Sequence, residues 1–367
     1  MKFLNFFICK SKENEEEEEE EPPDKSKFKK ELEKRNKHYN NHIVQNIPTN
    51  IVLPNKIKRE NNINNSKIDL SLKIEKKYYN LEFKCQGYFS KVYKAQVNTG
   101  ETVAIKRINK KFEHNFFQEY NFLRQIEHPN IIKILDCFVL ERYYYMVLPY
   151  YEKDLFEIIP EIVFKPKIIL RILKKITEGI VYLHNRDLIH GDIKPENIMI
   201  DKYLNPIIID LGLTKHKNLI SNEKKNRLSG TITYLPPEVL ISQKYTQKMD
   251  IWSLGIIMYI LMFNREPFGN SDNKRETFNN IKYREQYYPI YWRTEEGNQI
   301  YNDCFYKYLL DLNKKMLRKN MYERLNINNV NEYLEFIIIE QKKYCTKKIE
   351  NFTHELIIRN IKRWRSY

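Results

Sequence analysis

His190-Gly191-Asp192-Ile193-Lys194-Pro195-Glu196-Asn197, followed by the apolar run Ile207-Ile208-Ile209 and then Asp210-Leu211-Gly212, is the stretch on which the reading of this chain turns. Phosphoryl transfer has three chemical needs: a carboxylate beside the attacking hydroxyl, oxygen ligands for Mg²⁺, and positive charge over the migrating group. Asp192, Asn197 with Asp210, and Lys194 supply them within one short span.

Upstream, Val103-Ala104-Ile105-Lys106 puts a lysine at the end of an apolar strand. Its ammonium needs a polar partner, which triphosphate oxygens or water at a sheet edge would equally provide. Glu119, on the next helical segment, can pair with Lys106 and favours the first reading. Earlier still, Cys85-Gln86-Gly87-Tyr88-Phe89-Ser90-Lys91-Val92 lies between two strand-like runs. A glycine there lets backbone N–H groups approach a phosphate, although an isolated glycine between strands also serves as a plain turn. Aromatic and β-branched runs predict strands over 78–84, 91–97, 102–108, 133–139 and 143–148, with a helix over 112–126. Beyond Asp154 apolar residues recur at helical spacing over 166–185, 248–263 and 303–317. Strands before helices predict an α+β fold in two lobes meeting at a cleft. The smaller N-lobe has five antiparallel strands and one helix, and the larger C-lobe is mainly α-helical.

From Tyr78 to Leu334 the motifs resemble, in order, those of the eukaryotic protein kinase family. Lys106 matches the strand lysine and Glu119 its helix partner upstream of His128-Pro129-Asn130. His190-Gly191-Asp192 matches the H-R-D triplet, and Asp210-Leu211-Gly212 matches D-F-G. Gly230-Thr231-Ile232-Thr233-Tyr234-Leu235-Pro236-Pro237-Glu238 is similar to the end of the family's activation segment. Asp250-Ile251-Trp252-Ser253-Leu254-Gly255 is similar to its D-x-W-S-x-G helix, and Arg324 to the late arginine that pairs with the segment's glutamate, here Glu238.

The resemblance implies ATP and Mg²⁺ as cofactors, protein substrates, and transfer of the γ-phosphate to serine or threonine hydroxyls. Asp192 would orient the substrate hydroxyl and accept its proton, Lys194 would steady the γ-phosphate, and Asn197 and Asp210 would hold Mg²⁺. The implied nucleotide site takes Cys85, Gly87 and Val92 from the phosphate loop, and Ala104, Lys106 and Glu119 from the strand and helix behind it. Leu148, Tyr150 and Tyr151 come from the hinge region, and Asn197 and Asp210 complete the site. Leu123, Ile134, His190 and Leu211 would stack as a spine based on Asp250; ordinary core packing describes the same placement. Lys194 and Thr231 resemble the serine/threonine branch rather than the tyrosine branch.

Cys85 and Ser90 stand where the family has its outer loop glycines, and Gly191 stands where it has an arginine. That arginine helps form a cationic pocket for an activation-loop phosphate, so activation is expected to depend less on phosphorylation, although Ser221, Ser229 and Thr231 lie in the segment. Cys85 brings a thiol near the nucleotide; burial as a small hydrophobe is the favoured reading for it. The rival function is a pseudokinase scaffold that binds nucleotide without transfer. Lys106, Asp192 and Asp210, the residues such scaffolds usually lack, are all present. A small-molecule kinase of related fold is disfavoured by the peptide-docking segment around Thr231 and Pro236-Pro237-Glu238.

The sequence predicts three regions: a low-complexity tail over 1–75, a kinase domain over 76–340 (N-lobe 76–150, C-lobe 151–340), and a basic tail over 341–367. The glutamate run Glu15–Glu21 repels itself, and neither the lysine-rich nor the Asn-rich stretch after it sustains a hydrophobic period. At the other end, Ile349, Phe352, Leu356, Ile361 and Trp364 follow helical spacing beside Arg359, Lys362, Arg363 and Arg365. Such a segment suits a calmodulin-like or other acidic partner, the glutamate run among them, a membrane surface or an autoinhibitory contact. The favoured reading is a terminal helix packed on the C-lobe. Net charge is +15, yet no nucleic-acid motif accompanies it, and wide use of Lys, Asn, Ile and Tyr fits a compositional bias. No apolar run reaches membrane-spanning length. Five scattered cysteines fit a reduced, intracellular protein, cytoplasmic or nuclear. A monomer is expected.

Overall fold

The computed structural model describes residues 77–343, apart from 164, 219–229, 270–272, 289–291, 294–298 and 301–303. The expectations for both tails therefore lie almost wholly outside the described residues.

Five strands open the fold: β1 (Tyr78–Gln86), β2 (Ser90–Val97), β3 (Thr102–Asn109), β4 (Asp136–Leu140) and β5 (Tyr143–Pro149). They form one antiparallel sheet in the order β1-β2-β3-β5-β4. The period of two in the sequence becomes two faces. Val103, Ile105, Tyr145 and Val147 pack with Tyr78 and Ala95 in a small core on one face. Ile108, Met146 and Leu148 join the main core on the other, with Ala104 packed against it. Lys106 falls on this inner face too, in mid-strand rather than at a strand end, opposite Val92 on one side and Met146 on the other.

The helix expected over 112–126 is shorter, α1 (Glu113–Leu123). A 3₁₀ turn over Lys110–Phe112 precedes it, because the Asn109 side chain accepts the Lys111 N–H and tightens the chain there. At the other end the Gln125 N–H turns back to the Phe122 carbonyl. The strand expected over 133–139 also starts later, at Asp136. The residues before it are drawn to the other lobe: Ile132 N–H donates to the Ile208 carbonyl, and Ile208 N–H to that of Asn130. The Asn130 amide donates to the Pro206 carbonyl at 2.9 Å.

The second lobe is mainly helical. Its first elements are β6 (Lys153–Asp154), α2 (Leu155–Ile162), α3 (Pro166–His184) and β7 (Leu188–Ile189). Then come β8 (Ile198–Ile200), β9 (Pro206–Ile208) and β10 (Lys215–His216), followed by α4 (Pro237–Ser242), α5 (Lys248–Phe263), α6 (Lys274–Tyr283) and, later, Cys304–Met316 and a final helix over 327–343. Asp154 begins α2 with a reciprocal cap: its carboxylate accepts the Glu157 N–H while Glu157 accepts that of Asp154. Helix α5 is buried from Met249 to Met262 on all sides, so it is the axis of this lobe. Among the described residues no helix is long and apolar enough to cross a membrane.

The Arg324–Glu238 pair expected from sequence forms as a two-pronged ion pair, Nη1 to Oε1 at 2.7 Å and Nη2 to Oε2 at 3.0 Å. Both side chains are buried. Arg324 also donates to the carbonyls of Arg318 and Lys248 and lies 4.9 Å from the Trp252 ring. Removing one partner leaves a buried charge unpaired. Arg324→Ala is expected to cost about 3–5 kcal/mol in denaturant unfolding, and Arg324→Lys to recover little of it, since an ammonium cannot reproduce the planar fork.

Candidate active site

Two groups of polar side chains form the site, and the first joins the lobes through Lys106 and Asp210. The first centres on Lys106 of β3. Its Nζ lies 2.7 Å from each Glu119 oxygen and 3.2 Å from Asp210 Oδ1. Burial alone would depress the lysine, but the Asp210 and Glu119 carboxylates more than offset that and hold it charged above its ordinary range. Glu119 is pushed up by burial while Lys106 draws it back. Lys106 holds the Asp210 carboxyl below the usual range. Asp210 has a left-handed backbone at φ 62°, with its carboxylate accepting the Gly212 N–H at 3.3 Å.

The second group surrounds Asp192. Lys194 Nζ lies 2.7 Å from Asp192 Oδ2 and donates to Thr231 Oγ1 at 2.9 Å. Thr231 donates to Asp192 Oδ1 from both its N–H and its hydroxyl, each at 3.2 Å. The Asn197 amide nitrogen donates to the Asp192 carbonyl at 2.9 Å and to Oδ2 at 3.0 Å. With its Nδ2 committed, Asn197 keeps Oδ1 for another partner. Asp210 and Asn197 are thus oxygen donors of the hard type Mg²⁺ takes, and so few protein ligands suit an ion that keeps waters and phosphate oxygens around it. No group of three or more His, Cys, Asp or Glu able to hold a metal occurs among the described residues.

Backbone contacts hold the two groups in register. Ile209 N–H donates to the Asn197 carbonyl at 2.9 Å, and the His190 ring meets the Ile209 carbonyl at 3.1 Å. Beneath them the buried Asp250 carboxylate accepts N–H bonds from His190 and Gly191, both at 2.9 Å. His184 Nε2 lies 2.8 Å from the same carboxylate. Sequence reading missed His184: a histidine 66 residues from its partner carries no spacing signal. Leu123 and Leu211 are buried in the main core with Ile134 packed against it, and His190 is fully buried.

The remaining expected residues have varied placements. Val92 faces Cys85 across β1 and β2. Ala104 pairs with Leu148, which is buried, and Tyr151 packs against the main core. Tyr150 is different: its ring lies 4.7 Å from Lys94 Nζ and 5.9 Å from Lys84 Nζ. Those two cations hold the ring against β1 and β2. The favoured burial of Cys85 is corrected, since its thiol is exposed. The reason is its position on an edge strand whose last seven residues are all exposed. Gly87 closes the turn after it, its N–H donating to the Ser90 carbonyl at 2.8 Å.

Gly191, read from sequence only as a lost arginine, also has a backbone reason. It sits at φ +84°, and a Cβ there would lie 3.1 Å from the Leu213 carbonyl oxygen. Gly230 sits at φ +103°, where a Cβ would approach the Gly191 carbonyl oxygen to 3.2 Å and Leu235 Cδ2 to 2.8 Å. The two glycines let the chain carrying Thr231 close on the chain carrying Asp192.

The fold is two-lobed, with a five-stranded antiparallel sheet in the first lobe and a mainly helical second lobe. A family described as the protein kinase domain matches residues 81–334, and the chain belongs to the protein kinase family. It is similar to calcium-dependent protein kinase 4 of Plasmodium falciparum, 30% identical over 84% of this chain and 59% of that protein. It is also similar to the carbon catabolite-derepressing protein kinase of Candida glabrata, 30% identical over 67% of the chain and 39% of the relative. Serine/threonine-protein kinase TIO of Arabidopsis thaliana is 33% identical over 52% of the chain and 15% of the relative. The chain thus spans at most about three-fifths of these proteins.

Gly230→Ala is expected to destabilise by roughly 1–3 kcal/mol and to lower the melting temperature. Gly100, at φ +85° with nothing within 4 Å of a built Cβ, is the control. Gly100→Ala should show the backbone cost alone, and the excess in Gly230→Ala measures the close approaches to Leu235 and the Gly191 carbonyl.

Proposed function

We propose that the chain is a protein serine/threonine kinase that transfers the γ-phosphate of Mg-ATP to serine or threonine hydroxyls of protein substrates. The observation that carries this reading is that two polar groups are assembled, Asp192–Lys194–Thr231 and Lys106–Glu119–Asp210, and are linked through the Ile209–Asn197 backbone bond.

Asp192 is the base: it orients the substrate hydroxyl and accepts its proton. Its hold on Thr231 and Asn197 fixes the carboxylate before substrate arrives, which limits reorganisation during reaction. Lys194, within reach of both Asp192 and Thr231, steadies charge on the γ-phosphate. Lys106, kept charged and oriented by Glu119, binds the phosphates further from the base. Asn197 and Asp210 would hold Mg²⁺, which would supply charge neutralisation for the transferred group. Leu148 and Tyr151 line the adenine position, and Tyr150 contributes through its backbone because its ring is engaged by lysines. The Lys194–Thr231 contact supports a serine/threonine rather than tyrosine acceptor, as does the similarity to serine/threonine-protein kinase TIO.

The pseudokinase alternative, a scaffold that binds nucleotide without transfer, usually lacks the strand lysine, the catalytic aspartate or the metal-binding aspartate, and the presence of Lys106, Asp192 and Asp210 in assembled groups weighs against it. The test is transfer of labelled phosphate to a generic basic protein, with phosphoamino-acid analysis. Asp192→Ala should lower the rate by well over the roughly 10²-fold expected of a general base while Mg-ADP binding persists. Lys106→Met should weaken nucleotide binding itself. Nucleotide binding without any transfer by the unaltered chain would favour the scaffold.

A further inference from the structure

The tip of the β1–β2 turn carries two aromatic side chains that the proposed reaction does not use. Tyr88 is 84% exposed and Phe89 39% exposed. Large apolar rings at a loop tip lose the burial that normally stabilises them, so their partners matter. The Phe89 ring meets Phe112 edge-on, centroids 5.0 Å apart. Tyr88 meets Phe89 edge-on at 4.7 Å and lies 6.3 Å from Phe112. These separations are those of favourable aromatic pairs.

Phe112 is anchored. It ends the 3₁₀ turn that Asn109 caps, lies 5.1 Å from Lys111 Nζ, and packs against the main core. The next residue begins α1, the helix that carries Glu119. The turn above the phosphate position and the helix that orients Lys106 are therefore joined through three rings.

We propose that Phe89 and Phe112 are positioning residues for the nucleotide: their ring contact holds the β1–β2 turn over the phosphates and ties it to the start of α1. The chain has Cys85 and Ser90 where paired glycines would let the backbone settle on phosphates unaided, and the ring contact supplies the missing hold from outside. This inference rests on the reading of the cleft as an ATP site.

The test uses the full chain with Phe89→Ala, Phe112→Ala, the double variant and Phe112→Tyr. Hydrogen exchange over residues 84–92 is measured in the free protein, and affinity is measured for Mg-ADP. Each alanine variant should exchange faster there, the Gly87–Ser90 bond opening more often, and bind Mg-ADP roughly three- to tenfold more weakly. The double variant should be no weaker than the worse single change within about twofold, and Phe112→Tyr should restore both readouts. KM for ATP should rise with kcat nearly unchanged. Phe89 lies in the turn, outside the main core, so Phe89→Ala carries the test should Phe112→Ala lower the melting temperature. Unchanged exchange, multiplicative losses in the double variant, or a fall in kcat at constant KM would overturn the proposal. An unaltered chain that binds no Mg-ADP overturns the ATP-site reading and this inference with it. Equal binding by all four variants and the unaltered chain overturns the ring contact alone.

Discussion

The Asp250 carboxylate, shut away from solvent on α5, accepts the backbone N–H groups of His190 and Gly191 and meets the His184 ring. A carboxylate buried without partners would take up a proton. Burial does push Asp250 upward, but the His184 ring, the nearby His190 and the Gly191 N–H more than compensate and hold it below its ordinary range. The chain at 190–191 is thereby fixed to the most buried helix of the lobe, and Asp192 follows one residue later. Everything proposed for the site starts from that anchorage.

From the anchored loop the dependencies run outward. Asn197 and Thr231 brace Asp192, and Thr231 reaches it because Gly191 and Gly230 permit two backbones to approach. The Asn197 carbonyl accepts from Ile209, which sets where the chain enters Asp210. Asp210 meets Lys106 and closes the group with Glu119. The lobes are also joined away from the cleft, through the bonds between Asn130, Ile132 and Ile208. On the far side, Arg324 secures Glu238 and with it the helix that follows the Thr231 segment. Each link is a hydrogen bond or ion pair, most of them between buried or half-buried groups, so each change is felt at its neighbours.

Much of this was legible in the sequence because it is local. Period-two runs predicted five strands, helical spacing predicted 248–263 to the residue, and short motifs named Asp192, Asn197 and Asp210. What stayed illegible depends on contacts between distant segments. The strand start at Asp136 was displaced because residues 130–132 bond to the second lobe. The exposure of Cys85 follows from β1 lying at a sheet edge, which no local pattern announces. The tilt of Tyr150 towards Lys84 and Lys94, the approach of Gly230 to Gly191, and the meeting of Phe89 with Phe112 all join residues without a shared motif.

The buried Asp250 carboxylate fixes the loop that bears the proposed base, Asp192. Asp250→Asn tests it most directly, since the amide keeps the shape but can no longer accept at both oxygens. Single-turnover transfer and Mg-ADP affinity would be measured together in a variant confirmed to be folded. Nucleotide affinity should stay close to that of the unaltered chain while the transfer rate falls by roughly 10²-fold, the scale of a small misplacement of a reacting group. Transfer at the unaltered rate would contradict it, because the loop would then hold its geometry without the carboxylate.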